Sequence, residues 1–293
     1  MLSKNITICI FAANEEQRIN RCIENFSGLF KILVVDNFST DNTAIVAEAA
    51  GARVVQVKNP GFFETPEVML PVQQACDTDY ILIASVSEVV PMALLAKYAE
   101  VANSGSHDVV RPYRVSITAG VPIPISGLPN HRSPGEIRFF KKHTVDYSGN
   151  IVHERGRVTV PEERVLRLVG NSDLVFYQFR DYDVSHTEKN HRAYNDVLAE
   201  QRFKAGEKFS RLRLIVIPIR KFLGAYVRNG SWRFGMLGFI HSFHRWYMEF
   251  SIILRIWEWE NSFTRNSVVA KNLLFRSRIE AENNNIRSKL TKY

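Results

Sequence analysis

The chain is poor in the residues that build covalent or metal frameworks. Its 293 residues include three cysteines, Cys9, Cys22 and Cys76, and no Cys-x-x-Cys pair. A sparse, odd set argues against a disulfide framework and a structural zinc site, and it suits the cytosol. Long apolar runs are also missing. None approaches the roughly 20 residues that span a bilayer, so any membrane contact is expected from the surface. Acid is scarce toward the end. From Phe203 onward there is no Asp, and 17 Lys/Arg stand against 6 Glu, a net charge of +11. The first 202 residues, with 21 basic and 24 acidic side chains, carry −3. All four tryptophans (Trp232, Trp246, Trp257, Trp259) lie in the basic part. Clustered positive charge draws nucleic acid or an anionic membrane. Interleaved Trp and Phe favour the membrane, and no nucleic-acid reader motif is present. The opening MLSKNITICIFAANEE reaches acid too soon for a secretory leader, so its apolar run reads as a first strand.

What is present is an alternation. ITICIFA, KILVVD, ARVVQV and YILIAS are short apolar, β-branched runs. Between them, EEQRINRCIENF, AIVAEAAG and VMLPVQQAC carry helical spacing, the last with an expected break at Pro71. PMALLAKYAEVANSG follows, with Pro91 at a first-turn position. This order predicts an α/β fold: a mostly parallel, Rossmann-like sheet with helices on both faces. Ligands of such sheets bind beyond the carboxyl ends of the strands. Those ends are Ala12-Ala13-Asn14-Glu15, Asp36-Asn37-Phe38-Ser39 and Ser85-Val86-Ser87-Glu88. A strand-end Asp followed by a Ser/Thr/Asp turn suits a nucleotide. The carboxylate accepts base or ribose donors, and the turn and next helix offer backbone N–H groups. In a generic α/β protein the same Asp is an ordinary cap.

Further on, HDVVRPYRVSI, EIRFFKK, NIVHERGRVTV and DLVFYQFR read as strands, with VPIPISGLPNHRSPG as a long loop. From about Asp181 the pattern is helical, dividing the chain into 1–180 and a basic helical region 181–293. Phe239, Phe243, Trp246, Phe250, Ile253, Leu254 and Trp257 share one helical face, with His241, His244, Arg245, Glu249 and Arg255 largely opposite. Two readings stay open: a helix packed on a core, or one lying in a membrane interface, which RLRLIVIPIRKFLGAYVR upstream supports.

CIFAANEEQRINRCIENF and ILVVDNFSTDNTAIVAEAAGARVV resemble the N-terminal half of family 2 glycosyltransferases. Arg138-Phe139-Phe140-Lys141, Val152-His153-Glu154 and the basic C-terminal helices extend the resemblance toward bacterial enzymes of lipopolysaccharide core and surface glycans, over about Ile6 to Glu260. The resemblance implies a GT-A-like fold and sugar transfer with inversion from a nucleotide donor, a UDP-sugar first. It implies a lipid-linked or surface glycan as acceptor, and a place on the inner face of the plasma membrane. Ala12 and Glu15 would border the nucleotide and Asp36 would hold the base. For the general base it points first to Glu154 and second to Glu88, whose plainer roles would be a surface Glu and a helix cap.

The departure from the family is at YILIASVSEVVP. Where the family carries Asp-x-Asp-Glu for the ribose and a divalent metal on the diphosphate, this chain has Ser85-Val86-Ser87-Glu88. A hydroxyl is a poor ligand for Mg²⁺ or Mn²⁺. Ser85 and Ser87 are therefore expected as donor-site positions with no metal. Arg132, Arg138, Lys141 and Lys142 are candidates to stabilise the leaving group instead. A lipid-phosphate sugar as donor, or a homologue that binds without catalysis, are the alternatives.

Overall fold

A computed structural model describes residues 2–60, 64–123, 135–150, 155–168, 173–180 and 184–290; for 123, 180, 184–191, 193 and 288–290 it describes the backbone alone. The elements in chain order are β1 (Ile6–Ala12), α1 (Ile19–Glu24), β2 (Lys31–Asp36), α2 (Thr43–Ala49), β3 (Arg53–Gln56), α3 (Pro66–Ala75) and β4 (Tyr80–Ser85). Next come β5 (Glu88–Val89), α4 (Met92–Ser104), β6 (Val109–Arg111), β7 (Tyr113–Thr118), β8 (Val121–Ile123) and β9 (Phe139–Lys141). β10 (Val145–Asp146), β11 (Arg157–Val158), β12 (Val165–Arg167) and β13 (Val175–Arg180) complete the strands. Four helices follow: α5 (Val184–Lys204), α6 (Arg211–Leu223), α7 (Gly235–Glu260) and α8 (Arg265–Leu290). Two compact units divide this chain, residues 1–190 with 222–244, and residues 191–221 with 245–293.

In the first unit a seven-stranded sheet runs in the order β12-β6-β9-β4-β1-β2-β3. β1 pairs in parallel with both β2 and β4. β9 is antiparallel to its neighbours β4 and β6. The strand period of two sorts the side chains between two cores. Ile6, Ile8, Ile10, Val34, Leu82 and Ala84 pack with Ile23 of α1, Ala47 of α2 and Leu94 and Leu95 of α4. Cys9, Leu33, Val35, Ile81 and Ile83 face Met69 and Val72 of α3. Helices therefore cover both faces of a mostly parallel sheet, and near-continuous apolar strands result. Pro71 does not break α3, which runs through it. The carbonyl left without a partner belongs to exposed Glu67, where water can satisfy it. The single strand expected at HDVVRPYRVSI is two, because Pro112 separates β6 from β7. β7 belongs to a second sheet, β5-β13-β7-β8.

In the second unit, Ile252 and Ile256 of α7 are buried with Ala199 of α5, and Leu198, Phe203, Phe209 and Trp259 pack around them. Glu249, expected on the solvent face, is instead buried and takes a two-pronged pair from Arg202 at 2.9 and 3.2 Å. Trp257 lies against Phe209 and Phe263. Within this unit α7 thus packs on protein through its buried isoleucines and through Glu249.

Candidate active site

Register brings the three strand ends together. Ala12 lies opposite Asp36, and Phe11 lies opposite Ser85. Asp36 and Ser85 are therefore two strands apart, about 10 Å at the usual spacing. The tip Ser85-Val86-Ser87 is also the corner at which the chain leaves the large sheet. β5 begins at Glu88 and pairs with β13 of the second sheet, Gln178 opposite Glu88. The Phe179 N–H donates to the Ser87 carbonyl at 2.7 Å and fixes that corner.

At the β2 end, Asp36 is fully buried. Its carboxylate accepts from the Ser39 hydroxyl, from the Ser39 N–H at 3.1 Å, and from Gln56 Nε2 at 3.5 Å. Gln56 is exposed and its bond is the longest, so it is the contact an incoming donor group can replace. The β1 and β2 loops are stitched to each other. Asn14, in the left-handed region at φ 56°, donates its N–H to Ser39 Oγ at 2.9 Å, and its Oδ1 accepts from the Thr40 N–H at 2.8 Å. Asn tolerates that backbone better than most residues. The Glu15 N–H donates to Thr43 Oγ1 at 2.7 Å, and the Glu15 carboxylate is paired with Arg18 at 2.8 Å.

The backbone donors expected for an anion are already used. The Asn42 N–H donates to Glu16 Oε2 at 3.0 Å and the Thr43 N–H to Asp41 Oδ1 at 3.0 Å. Burial works against the Asp41 charge, but the Thr43 hydroxyl and the N–H groups of Thr43 and Glu16 hold its carboxyl below the ordinary value. The loop is a rigid, self-satisfied rim, and Asp36 is its deepest polar group.

At the β4 end, the Ser85 and Ser87 hydroxyls lie 3.3 Å apart and are half-buried. Glu88 does not cap α4, which begins at Met92 after Pro91 without a side-chain cap. Its Oε2 accepts from the Ser85 N–H at 2.9 Å and its Oε1 from Arg138 Nη2 at 2.6 Å. Both partners of this ion pair are buried, with side chains 4% and 2% exposed. Arg138 also donates to Glu136 at 3.1 Å, Glu136 pairs with Arg114 at 3.0 Å, and the guanidinium stands 5.2 Å from the Phe176 ring centroid. Burial alone would lower Arg138, but Glu88 and Glu136 hold it above its ordinary value. At Glu136 burial opposes the charge, and Arg138, Arg114 and Arg155 outweigh it, leaving the carboxyl below its ordinary value.

Glu136 is aimed by Gly135. Arg111 Nη2 donates to the Gly135 carbonyl at 2.9 Å, and the Glu136 N–H donates to Pro112 at 2.9 Å. Gly135 has φ +73°, and a Cβ there would stand 2.6 Å from the Arg111 carbonyl oxygen and 2.9 Å from that of Pro112. Gly135→Ala is expected to cost about 1–3 kcal/mol through overpacking and about 1–2 kcal/mol more through the left-handed backbone, read as a lower urea midpoint.

Several sequence expectations meet the structure differently. Arg138 is committed to Glu88, which removes it from the set of free cations. Lys141 lies opposite Tyr80, and the Lys142 N–H donates to Asp79. Both therefore sit at the start of β4, five residues or about 16 Å from Ser85, at the wrong edge of the sheet. Lys142 Nζ is moreover used by the Cys76 carbonyl at 3.0 Å. Arg132, His153 and Glu154 lie outside the described residues. Ala12, Glu15, Asp36, Ser85, Ser87 and Glu88 do converge on one edge. Sequence reasoning missed Arg138 as the holder of the tip, together with a polar strip across the second sheet. There Gln178 faces both Glu88 and Ser116, and Gln178 Oε1 and Ser116 Oγ are buried without a hydrogen-bond partner among the described residues.

A divalent metal does not fit the groups at this tip. Two hydroxyls and a carboxylate with both oxygens engaged are a weak donor set for a hard cation. Among the described residues, no three His, Cys, Asp or Glu side chains gather to hold an ion.

The site is a mostly parallel α/β sheet with a buried Asp at one strand end and a polar corner two strands away. The glycosyl transferase family 2 model matches residues 7–144. An uncharacterized glycosyltransferase of Rickettsia typhi is 24% identical over 82% of this chain and 82% of its own. The lipopolysaccharide core biosynthesis glycosyltransferase LpsC of Rhizobium meliloti is 27% identical over 80% of this chain and 84% of its own. Among solved structures, glucosyl-3-phosphoglycerate synthase of Mycobacterium tuberculosis, in complex with Mn²⁺, UDP-glucose and phosphoglyceric acid, aligns with a TM-score of 0.46 and 16% identity, covering 71% of this chain and 82% of that one. Residues 7–144 thus resemble glycosyl transferase family 2, and the Rickettsia and Rhizobium relatives matched along most of this chain are named glycosyltransferases.

Proposed function

We propose that the protein transfers a sugar, with inversion, from a nucleotide donor to a lipid-linked or cell-surface glycan. A UDP-sugar is the first donor to test. The reaction is placed on the cytoplasmic side of an anionic membrane and proceeds without a divalent metal. The observation that carries this reading is the register that sets Asp36 and the Ser85-Ser87 corner two strands apart on one sheet edge. A base N–H bonds to Asp36 in place of Gln56, and the ribose and diphosphate extend toward the two serines. Their hydroxyls offer neutral hydrogen bonds where the family's aspartates would hold an ion. The likeness to LpsC, whose name places it in lipopolysaccharide core synthesis, supports a glycan acceptor.

Inversion needs one in-line displacement, with one carboxylate taking the acceptor proton. Glu88 is held on both oxygens and is better suited to shaping the corner than to accepting a proton. Glu15 is similarly tied to Arg18. The base is therefore Glu154 of Val152-His153-Glu154, on the strength of its motif.

The test is transfer of labelled sugar from a panel of nucleotide sugars to detergent-extracted glycolipid, with and without EDTA. The expected result is turnover of one donor that changes less than about twofold when metal is removed, since neither serine depends on one. Turnover abolished by EDTA and restored by Mn²⁺ would refute the metal-free part. Nucleotide binding without turnover of any donor would leave a binding protein in place of a transferase.

A further inference from the structure

The helix α6 carries RLRLIVIPIRKFL, six consecutive apolar residues bounded by cations. A helix apolar on all sides is ordinarily buried all round. This one is not. Pro218 is buried and Leu214 and Ile217 are half-buried, whereas Leu212, Ile215, Val216 and Ile219 are 70, 60, 48 and 46% exposed. At about 100° per residue, these four fill a single arc of about 100°. Arg211 lies about 40° outside one edge of that arc, and Arg220 and Arg213 about 40–60° outside the other. Arg213 is paired with Glu207, while Arg211 and Arg220 are exposed and make no ion pair among the described residues. The helix has 13 residues, about 20 Å, and among the described residues no helix is long and apolar enough to cross a membrane.

We propose that α6 lies in the plane of an anionic lipid surface, with Leu212, Ile215, Val216 and Ile219 immersed and Arg211 and Arg220 on the headgroups. This rests on the reading that the acceptor is held at a membrane, and it names the element that docks there. Charge selects the occupant. An apolar arc with a cation on each flank is the pattern of an interfacial helix, and anionic headgroups answer both flanks at once. A second copy packed on the same face about a two-fold axis would set the arginines of the two helices against each other.

The experiment is flotation of the full chain with vesicles of phosphatidylcholine alone, or mixed with phosphatidylglycerol, at low and high salt. Wild type is expected to float with the anionic vesicles and to lose much of that binding at high salt. Ile215→Ser with Ile219→Ser is expected to lower the bound fraction constant by roughly tenfold or more, with the circular dichroism spectrum unchanged. Arg211→Glu with Arg220→Glu is expected to abolish the preference for anionic over neutral vesicles. Leu273→Ser with Leu274→Ser, on the exposed α8, is expected to bind as wild type does. Binding that survives the Ile215/Ile219 change would overturn the assignment to α6 and leave a membrane-held acceptor intact. No vesicle binding by wild type would overturn both. A wild-type dimer that the Ile215/Ile219 variant converts to monomer, seen by light scattering, would give the face to a second copy and overturn the proposal. Hydrolysis of the sugar nucleotide in the absence of lipid tests the glycosyltransferase reading separately, and it is expected to be the same in all of these variants.

Discussion

Arg138→Met is expected to unfold the protein at a urea concentration well below that of wild type, with a loss of about 3–5 kcal/mol. The reason is what remains, rather than what is removed. Glu88 would stay 2% exposed on its side chain with no cation beside it, and Glu136 would lose its contact at 3.1 Å. A buried carboxylate without a partner is far costlier than a buried pair is beneficial. Methionine keeps most of the volume and leaves a soft side chain near the Phe176 ring, so packing loss contributes little. Changing Glu88→Gln in the same chain is expected to recover most of the stability, because the amide is neutral and can still accept from the Ser85 N–H. A double variant no more stable than Arg138→Met would show that the guanidinium acts through its packing on Phe176 instead. The transfer rate of the double variant separates two further roles. If Glu88 only shapes the corner, the Gln that keeps the Ser85 bond retains most activity.

Glu154→Gln is expected to lower kcat by about 10²–10⁴-fold, the usual contribution of a general base, with nucleotide affinity unchanged within about twofold. A factor of that size corresponds to about 3–5 kcal/mol of barrier. The split between kcat and binding is the informative quantity. An interaction made only in the transition state lowers kcat and kcat/KM together and leaves donor binding alone. A Glu154 that merely paired with Arg155 or Arg157 would produce no such split, and a kcat within about threefold of wild type would refute the assignment. The pair Arg155–Glu64, with Arg155 and Glu64 both at least partly buried, already satisfies one of those cations. Arg157 is paired with Asp146 at 2.8 Å.

The parallel core of the fold was legible because its strands are buried on both faces. ITICIFA, KILVVD and YILIAS are continuous apolar runs for that reason, and their ends could be located to within a residue. The turn after Asp36 was legible in composition but not in consequence. Its Ser, Thr and Asp side chains were expected to leave the backbone donors of α2 free for a ligand. They instead close on one another, since Asp41 and Glu16 reach the Thr43 and Asn42 N–H groups first. The partnership of Glu88 with Arg138 spans 50 residues, and no local pattern encodes it. The same holds for the placement of Lys141 and Lys142. Whether a basic strand lies at the top or the bottom of a sheet depends on its direction, and the run Phe139–Lys141 is too short for its pattern to give one. On α7, Ile252, Ile256 and Glu249 are buried while Phe239 and Phe243 of the aromatic stripe are exposed, so the buried sector is displaced from the stripe.

The late arrival of β9 has a consequence for the order in which the molecule can assemble. The strands β1 to β4 and their helices are built from neighbours close in sequence, and pairings of that kind form early. On a ribosome they are complete long before Arg138 has been synthesised. Until then Glu88 has no cation partner, so its carboxylate cannot settle into the buried position it holds in the finished protein. The corner is thus completed last, by a strand slotted between β4 and β6 after β1 to β4 have already paired. A chain released before residue 138 would be expected to retain a sheet yet expose the side of β4 that β9 covers.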